Sequence, residues 1–388
     1  MVNLNNNTNA FNDKSNTDLN RAWLLFLTIS NPTISKILTN LLQIAISLKL
    51  PIDYLVKISI FKQFCGGETI TESKKTIDKL WKSKIGSILD YSAEGKEHDS
   101  DFEKVYNQGL QILNESKNKN YIPFVVFKLT GLLNFEILEK KNINISLDDN
   151  EQKIYDLFTK RLKKICDKAK ESNTPILFDA EESWIQNAID EIVLNLMKKY
   201  NRENVIIYNT IQMYRNDRIY YLNKIIDIGK KEKFKIGLKI VRGAYHEKEI
   251  KRAKKLNYNI PVHLKKEETD NDFNRALEIC VQNIDQISIC SGTHNIKSSE
   301  YLIKLMDEHD IKCNDKRIYS SQLLGMSDNI SYNLAKVNYN VCKYVPYGPI
   351  KEVIPYLIRR AEENRSISGQ MSRELSNIIE EKKRRRKV

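Results

Sequence analysis

No G-x-G-x-x-G, G-x-x-x-x-G-K-[S/T] or H-E-x-x-H stretch occurs in the 388 residues. A Rossmann-type dinucleotide site, a phosphate-binding P-loop and a zincin centre are therefore not expected. The G-x-S-x-G elbow of serine hydrolases is absent as well. Six cysteines (65, 166, 280, 290, 313 and 342) form no C-x-x-C pair, which argues against a disulfide or zinc framework and for reduced thiols in an intracellular protein. The five histidines (98, 246, 263, 294 and 309) are not spaced as metal ligands, and no metal is expected. The longest apolar stretch, "RAWLLFLTIS", is too short to span a bilayer. The Asn-rich N-terminus has neither the apolar core of a signal peptide nor the arginine-rich pattern of a transit peptide.

What is present reads as an ordinary globular chain. Hydrophobic residues make up 41% and charged residues 29%, so a large core can form. The net charge of +13 invites a nucleic-acid reading, yet the lysines are spread evenly except in the closing "EEKKRRRKV". That tail reads first as a frayed, solvated helix end with its bases at the negative end of the dipole. A nuclear-import signal or an anionic-lipid contact are the alternatives.

The pattern changes along the chain. Residues 1–20 are polar and expected to be disordered. Residues 21–120 carry apolar residues at helical spacing, as in "TISKILTNLLQIAISLKL", and are expected to be helical. From 121 to 365, seven short apolar runs alternate with amphipathic helical stretches: "YIPFVVFKL", "TPILFDA", "NVIIYNT", "FKIGLKIVRGA", "DQISICSGTHN", "KRIYSSQLL" and "VCKYVPYG". Near-continuous apolar runs each followed by a helix describe buried parallel strands. Seven units point to an α/β (βα)8 TIM-type barrel with one strand unassigned. Residues 366–388 are left as the basic tail.

In such a barrel the active site lies at the C-terminal ends of the strands. Lys128, Asp179, Gln212, Lys239 with Arg242, Thr293-His294-Asn295, Gln322 and Tyr344 occupy those ends. Their convergence on one mouth makes a polar, cation-rich pocket. Beyond the last run, "IKEVIPYLIRRAEENRS" folds as an amphipathic helix at 100° per residue. Val353, Ile354, Leu357, Ile358 and Ala361 form its apolar face, and Arg359 and Arg360 fall in its polar arc with Tyr356 and Glu363. One reading of that arc is a solvated surface with Arg359–Glu363 and Arg360–Glu363 pairs. The other is a lid over the mouth in which two guanidinium groups clamp an anion.

Several stretches together resemble the proline dehydrogenase family, in the same order: "FVVFKLTGL", "FDAEESW", "YNTIQMY", "KIVRGAYHEKEIKRA", "GTHN", "SQLLGMSDNIS" and "YVPYGPIKEVIPYLIRRAEEN". The likeness runs from about Tyr121 to Asn364, with a weaker echo in "FCGGETI". It implies a distorted (βα)8 barrel with a C-terminal helix over the mouth, FAD as cofactor, oxidation of L-proline to Δ1-pyrroline-5-carboxylate, and delivery of the electrons to a membrane quinone. By the same resemblance, Asp179 and Lys239 are expected to be catalytic, with Asp179 ordering the cations. Arg359 and Arg360 would hold the proline carboxylate beside Lys128, and Tyr245, Leu323 and Tyr344 would wall the ring. Phe178, Gln212, Lys239, Arg242, Gly243, Ala244, Thr293, His294 and Glu363 match flavin-side positions.

Lys239 stands where many bacterial members carry arginine, keeping the charge and losing the planar fork. Tyr344 leaves little room for a 4-hydroxyl, which favours proline over hydroxyproline as substrate. A hydroxyproline dehydrogenase, a flavin- or proline-binding sensor and a basic nucleic-acid-binding protein are the competing readings. No nucleic-acid partner is expected. At this length there is no room for a second, aldehyde-oxidising domain, so a separate pyrroline-5-carboxylate dehydrogenase would act downstream. The expected location is cytoplasmic, with peripheral contact on the inner face of the respiratory membrane.

Overall fold

The computed structural model describes residues 2–48, 50–91, 98–366 and 370–387; the side chains of Pro32, Ile46 and 361–371 lie outside that description. Eight parallel strands close into one barrel in sequence order: β1 (Ile85–Tyr91), β2 (Phe124–Phe127), β3 (Ile176–Phe178), β4 (Ile207–Gln212), β5 (Ile236–Val241), β6 (Ile287–Gly292), β7 (Ile318–Leu323) and β8 (Val341–Tyr347). Closure runs through β1 and β8, which pair over seven positions from Ile85↔Val341 to Tyr91↔Tyr347. Alternate residues on each strand face opposite sides. Ile85 and Leu89 therefore pack outward in the large core beneath the helices. Ile88 points inward, where it meets Phe124, Leu177, Tyr208, Cys290 and Cys342. All six cysteines are free thiols, and five are buried.

β1 is the strand left unassigned from the sequence, and it lies inside the segment expected to be helical. The barrel thus begins at Ile85 rather than at Tyr121. "IGSILDY" hides its strand character because Gly86, Ser87 and Asp90 interrupt the apolar run.

Both chain ends also differ from expectation. In place of a disordered N-terminus, Leu4, Ala10 and Phe11 are buried and Asn7–Phe11 forms a helix. The amides of Asn329 and Asn333 donate to the Leu4 and Asn6 carbonyls at 2.8 Å each, satisfying backbone groups that a polar sequence leaves open. In place of a frayed tail, helix Gln370–Arg386 packs along helix Asn16–Ser30 with Ile378, Glu374 and Glu381 buried. Two of its arginines are used structurally. Arg384 and Arg385 both bind Glu381, and Arg385 also donates to the carbonyls of Phe11 and Lys14 at 2.7 and 2.9 Å.

The penultimate helix, Ile350–Ser366, follows a turn at Gly348 whose φ of +141° favours glycine. Its apolar face, Val353, Ile354 and Leu357, packs against Phe26, Phe61 and Phe64 of the N-terminal helices. The opposite arc faces the barrel mouth.

Candidate active site

A cavity of about 300 Å³ lies at the C-terminal ends of the strands. It is lined by Lys128, Asp179, Gln212, Lys239, Arg242, Gly243, Ala244, Tyr245, Thr293, His294, Leu323, Tyr344, Arg359 and Arg360, which brings together the expected site residues with two exceptions. Phe178 does not line it. Its side chain is fully buried in the outer core, 6.3 Å from the Phe127 ring. The reason is register: Asp179 points inward, so the preceding residue points outward. The Glu363 side chain lies outside the description.

Asp179 is the hub. Its backbone N–H donates to the Phe127 carbonyl at 2.9 Å, fixing the position just past β3. Lys128 and Tyr344 donate to its Oδ2 at 3.2 and 2.6 Å, and Lys239 donates to Oδ1. Burial alone would raise the Asp179 pKa, but the charges of Lys239 and Lys128 and the hydrogen bonds from Lys239 and Tyr344 hold it down at about 2. The carboxylate is therefore ionised at all physiological pH. It also holds the Lys239 ammonium 4.8 Å from the Tyr344 ring. Three strand ends, β2, β5 and β8, are tied to a fourth through one side chain.

β4 and β5 supply the next wall. The Gln212 amide donates to the Glu181 carbonyl at 2.7 Å, and its oxygen accepts from the Ala244 N–H at 3.1 Å, so it shapes the loop after β5. Gly243 in that loop has φ +138°, and a Cβ there would come within 2.4 Å of the Tyr214 ring. No other residue type fits. Arg242 is held by Asp270 at 2.6 Å, Thr293 at 2.6 Å and Ser298 at 2.9 Å, with its guanidinium over the Phe273 ring. His294 shares a 3.0 Å hydrogen bond with the Ser327 hydroxyl. Burial, with Lys343, Arg360 and Arg242 nearby, pushes its pKa to about 3, so the ring is neutral at pH 7.

The penultimate helix closes the cavity. Tyr356, Arg359 and Arg360 all line it, and Arg360 is buried with its guanidinium 5.2 Å from the Tyr356 ring. Of the two sequence readings of this helix, the solvated surface is excluded. In all, Lys128, Lys239, Arg242, Lys266, Arg359, Arg360 and Arg373 face two carboxylates, Asp90 and Asp179. The excess of cations suits an anionic ligand.

Sequence reasoning missed Asp90, Thr210, Lys266 and Arg373 as lining residues. Asp90 was readable in principle, since it ends the run "SILD", but only once β1 is recognised as a strand. Thr210 carries a different kind of information. Its hydroxyl is buried on the cavity wall without a hydrogen-bond partner among the described residues. Such an orphan in a polar cavity marks a place where a ligand donor or acceptor belongs.

Comparison with known proteins agrees with this geometry. The model of the proline dehydrogenase family matches residues 73–373. The chain is 32% identical over 322 residues to the carbapenem antibiotics biosynthesis protein CarD of Pectobacterium carotovorum, covering 83% of each chain. It is 33% identical over 384 residues to the mitochondrial proline dehydrogenase 1 of Dictyostelium discoideum, covering 88% of this chain and 67% of that one. Its fold superposes on proline utilization A of Bdellovibrio bacteriovorus with a TM-score of 0.71 at 18% identity, over 80% of this chain and 33% of that much longer one. The barrel, its mouth of cations around Asp179 and the match over residues 73–373 lead to one conclusion: the chain belongs to the proline dehydrogenase family.

Proposed function

We propose that this protein oxidises L-proline to Δ1-pyrroline-5-carboxylate with FAD as the resident cofactor and a quinone as the onward electron acceptor. The observation that carries the proposal is the shared cavity of Arg359, Arg360 and the Asp179 network.

The residues present fit a flavin. A planar, polar-edged ring system needs donors along one side, an approachable backbone and a partner for an otherwise orphaned hydroxyl. Lys239, Arg242 and Gln212, the loop at Gly243 and Ala244, and the hydroxyl of Thr210 supply these. Thr293 and His294 complete the cofactor side. When bound, the flavin supplies a two-electron acceptor for hydride from proline C5.

The protein's own part is binding, orientation and electrostatics. Arg359 and Arg360 hold the substrate carboxylate from two sides, with Lys128 as a further cation. Tyr344, Tyr245 and Leu323 wall the ring. Tyr344 is fixed in that role by its bond to Asp179. Asp179 holds the Lys239 side chain in place, so that a positive group would face the negative charge a flavin gains on reduction. Neutral His294 provides a hydrogen-bonding edge without adding a further charge. Among the described residues no side chain of the cavity serves as an obligatory base, so the proline amine would lose its proton to solvent. The product opens to an aldehyde in water, which a separate pyrroline-5-carboxylate dehydrogenase would consume.

The test is spectroscopic. The purified protein should carry an oxidised-flavin spectrum, and L-proline without oxygen should bleach it. 4-Hydroxyproline should bleach it far more slowly, because Tyr344 restricts the ring. A protein with no flavin, or a flavin unaffected by proline, overturns the assignment; faster bleaching by hydroxyproline overturns the role of Tyr344.

A further inference from the structure

The loop after β7 is held in a conformation that its residue types do not favour. Ser327 has φ +49° and ψ +43°, the left-handed region that is costly for a residue with a Cβ. Both neighbours are pinned by Lys343 of β8, which is fully buried. It donates to the Met326 carbonyl at 2.5 Å and pairs with Asp328 at 2.8 Å. Ser327 itself is pinned by the last helix, Gln370–Arg386. Its backbone N–H donates to Oε1 of buried Glu374 at 2.7 Å, and its hydroxyl donates to the same oxygen at 3.2 Å. Strain of this kind persists where the surroundings hold it, and it gathers at working sites.

What the strained serine touches gives it a use. Its Oγ lies 3.0 Å from Nδ1 of His294, on the wall of the mouth cavity. A hydroxyl has one proton to give. Oε1 of Glu374 takes the Ser327 N–H, so it is an acceptor oxygen, and the hydroxyl proton goes to it. Oγ is left to accept from the ring. The imidazole is neutral at pH 7, so its single proton must sit on Nδ1 and Nε2 becomes an acceptor. The neighbouring Arg373 steadies the backbone of the same residue, with Nη1 3.4 Å from the His294 carbonyl. Around the ring, Lys128, Lys239, Arg242, Arg359 and Arg360 can only donate. An acceptor held among them selects an N–H or O–H of the bound group.

We infer that Glu374 is a positioning residue for His294: acting through Ser327, it fixes the imidazole with its proton on Nδ1 and offers Nε2 to a hydrogen-bond donor of the ligand in the mouth. The last helix thereby takes part in the site through a residue that does not line the cavity. The inference rests on the proposed flavin reading for the identity of that ligand, since a flavin carries both N–H and O–H groups.

Nitrogen NMR of the full-length protein, isotope-labelled at its five histidines, tests it. The His294 resonances are assigned by their loss in His294→Gln. Native His294 should show a protonated Nδ1 and an unprotonated Nε2. Ser327→Ala removes the relay and keeps the backbone bond to Glu374, whereas Glu374→Ala removes both. In each variant the tautomers should mix or reverse. The dissociation constant for FAD should rise by roughly twofold to tenfold, the worth of one oriented hydrogen bond. Glu374→Gln keeps an acceptor oxygen and should retain the native tautomer. Should Glu374→Ala fail to fold, Ser327→Ala decides alone. A native ring protonated on Nε2 overturns the inference. So does a native tautomer that survives Ser327→Ala, since a purely structural role for Glu374 would lower the unfolding temperature without moving the proton. The expected tautomers in a protein whose flavin is not bleached by proline support the positioning role while overturning the proposed reaction, so the two failures are distinct.

Discussion

The two ends of the barrel hold cavities of opposite character. The one at the N-terminal ends of the strands is the larger, about 1070 Å³ against about 300 Å³ at the mouth. It too has charged groups, including Lys84, Lys235, Asp285 and Lys316, but these four are exposed to solvent. At the mouth, Asp90, Asp179, Lys239 and Arg360 are buried. Charge taken out of water is costly unless it is paired and hydrogen-bonded. A fold that keeps it there has a use for it, whereas a solvated lysine at a strand start needs none. Size alone would point to the other end.

The largest break in that contrast comes from removing the hub. In Asp179→Asn, Lys239 and Lys128 lose their common counter-charge while remaining buried or half-buried. Leaving a buried charge uncompensated costs about 3–5 kcal/mol, so thermal unfolding should move down by several degrees and turnover should fall steeply. The pH dependence gives a second readout. The folded Asp179 pKa is about 2 against 3.8 in an unstructured chain, so its stabilisation is complete above about 4 and disappears as pH falls through about 2. The stability gap between native protein and variant should close over that window. A gap that persists at pH 2 would mean that the carboxylate is not what holds the cations.

Next in size are the arginines of the penultimate helix. Arg359→Met or Arg360→Met removes a charge-assisted pair worth about 1.5–3 kcal/mol, so the KM for proline should rise by roughly tenfold to a hundredfold while flavin content stays near native. A KM that does not move would leave the mouth without a carboxylate clamp, although the helix lines it.

How much of this was legible in the sequence follows from the same contrast. Strands buried on both sides read as unbroken apolar runs, which is why seven were visible, and their polar last residues marked the mouth. β1 was not visible, because Gly86, Ser87 and Asp90 place small or polar groups where the run should continue, and Asp90 was lost with it. Periodicity put Arg359 and Arg360 on one polar arc but could not say what the arc faces, which depends on the packing of Phe26, Phe61 and Phe64 behind the helix. The Asp179 network joins residues 51, 60 and 165 positions apart, a convergence that only barrel closure creates. The folded N-terminus was hidden for another reason. A few apolar residues, two distant asparagines and Arg385 of the last helix hold it, and none of these signals is local.

The smallest effect is the one expected at the base. Lys235→Ala with Lys316→Ala removes two exposed charges from the rim of the larger cavity. Among the described residues neither side chain has a buried partner whose loss would be felt, and exposed substitutions of this kind usually change stability by less than about 0.5 kcal/mol. Unfolding temperature and kcat/KM for proline should therefore stay within error of the native protein. The double variant is a sharper control than a distant surface site, because it alters charge just before two strands, β5 and β7, that carry the mouth. Long-range field effects from one end of the barrel to the other would appear in kcat/KM at low salt and vanish at high salt. A fall of more than about tenfold that survives salt would show that the base takes part in the reaction, and burial of charge would then no longer distinguish the working end of this barrel from the idle one.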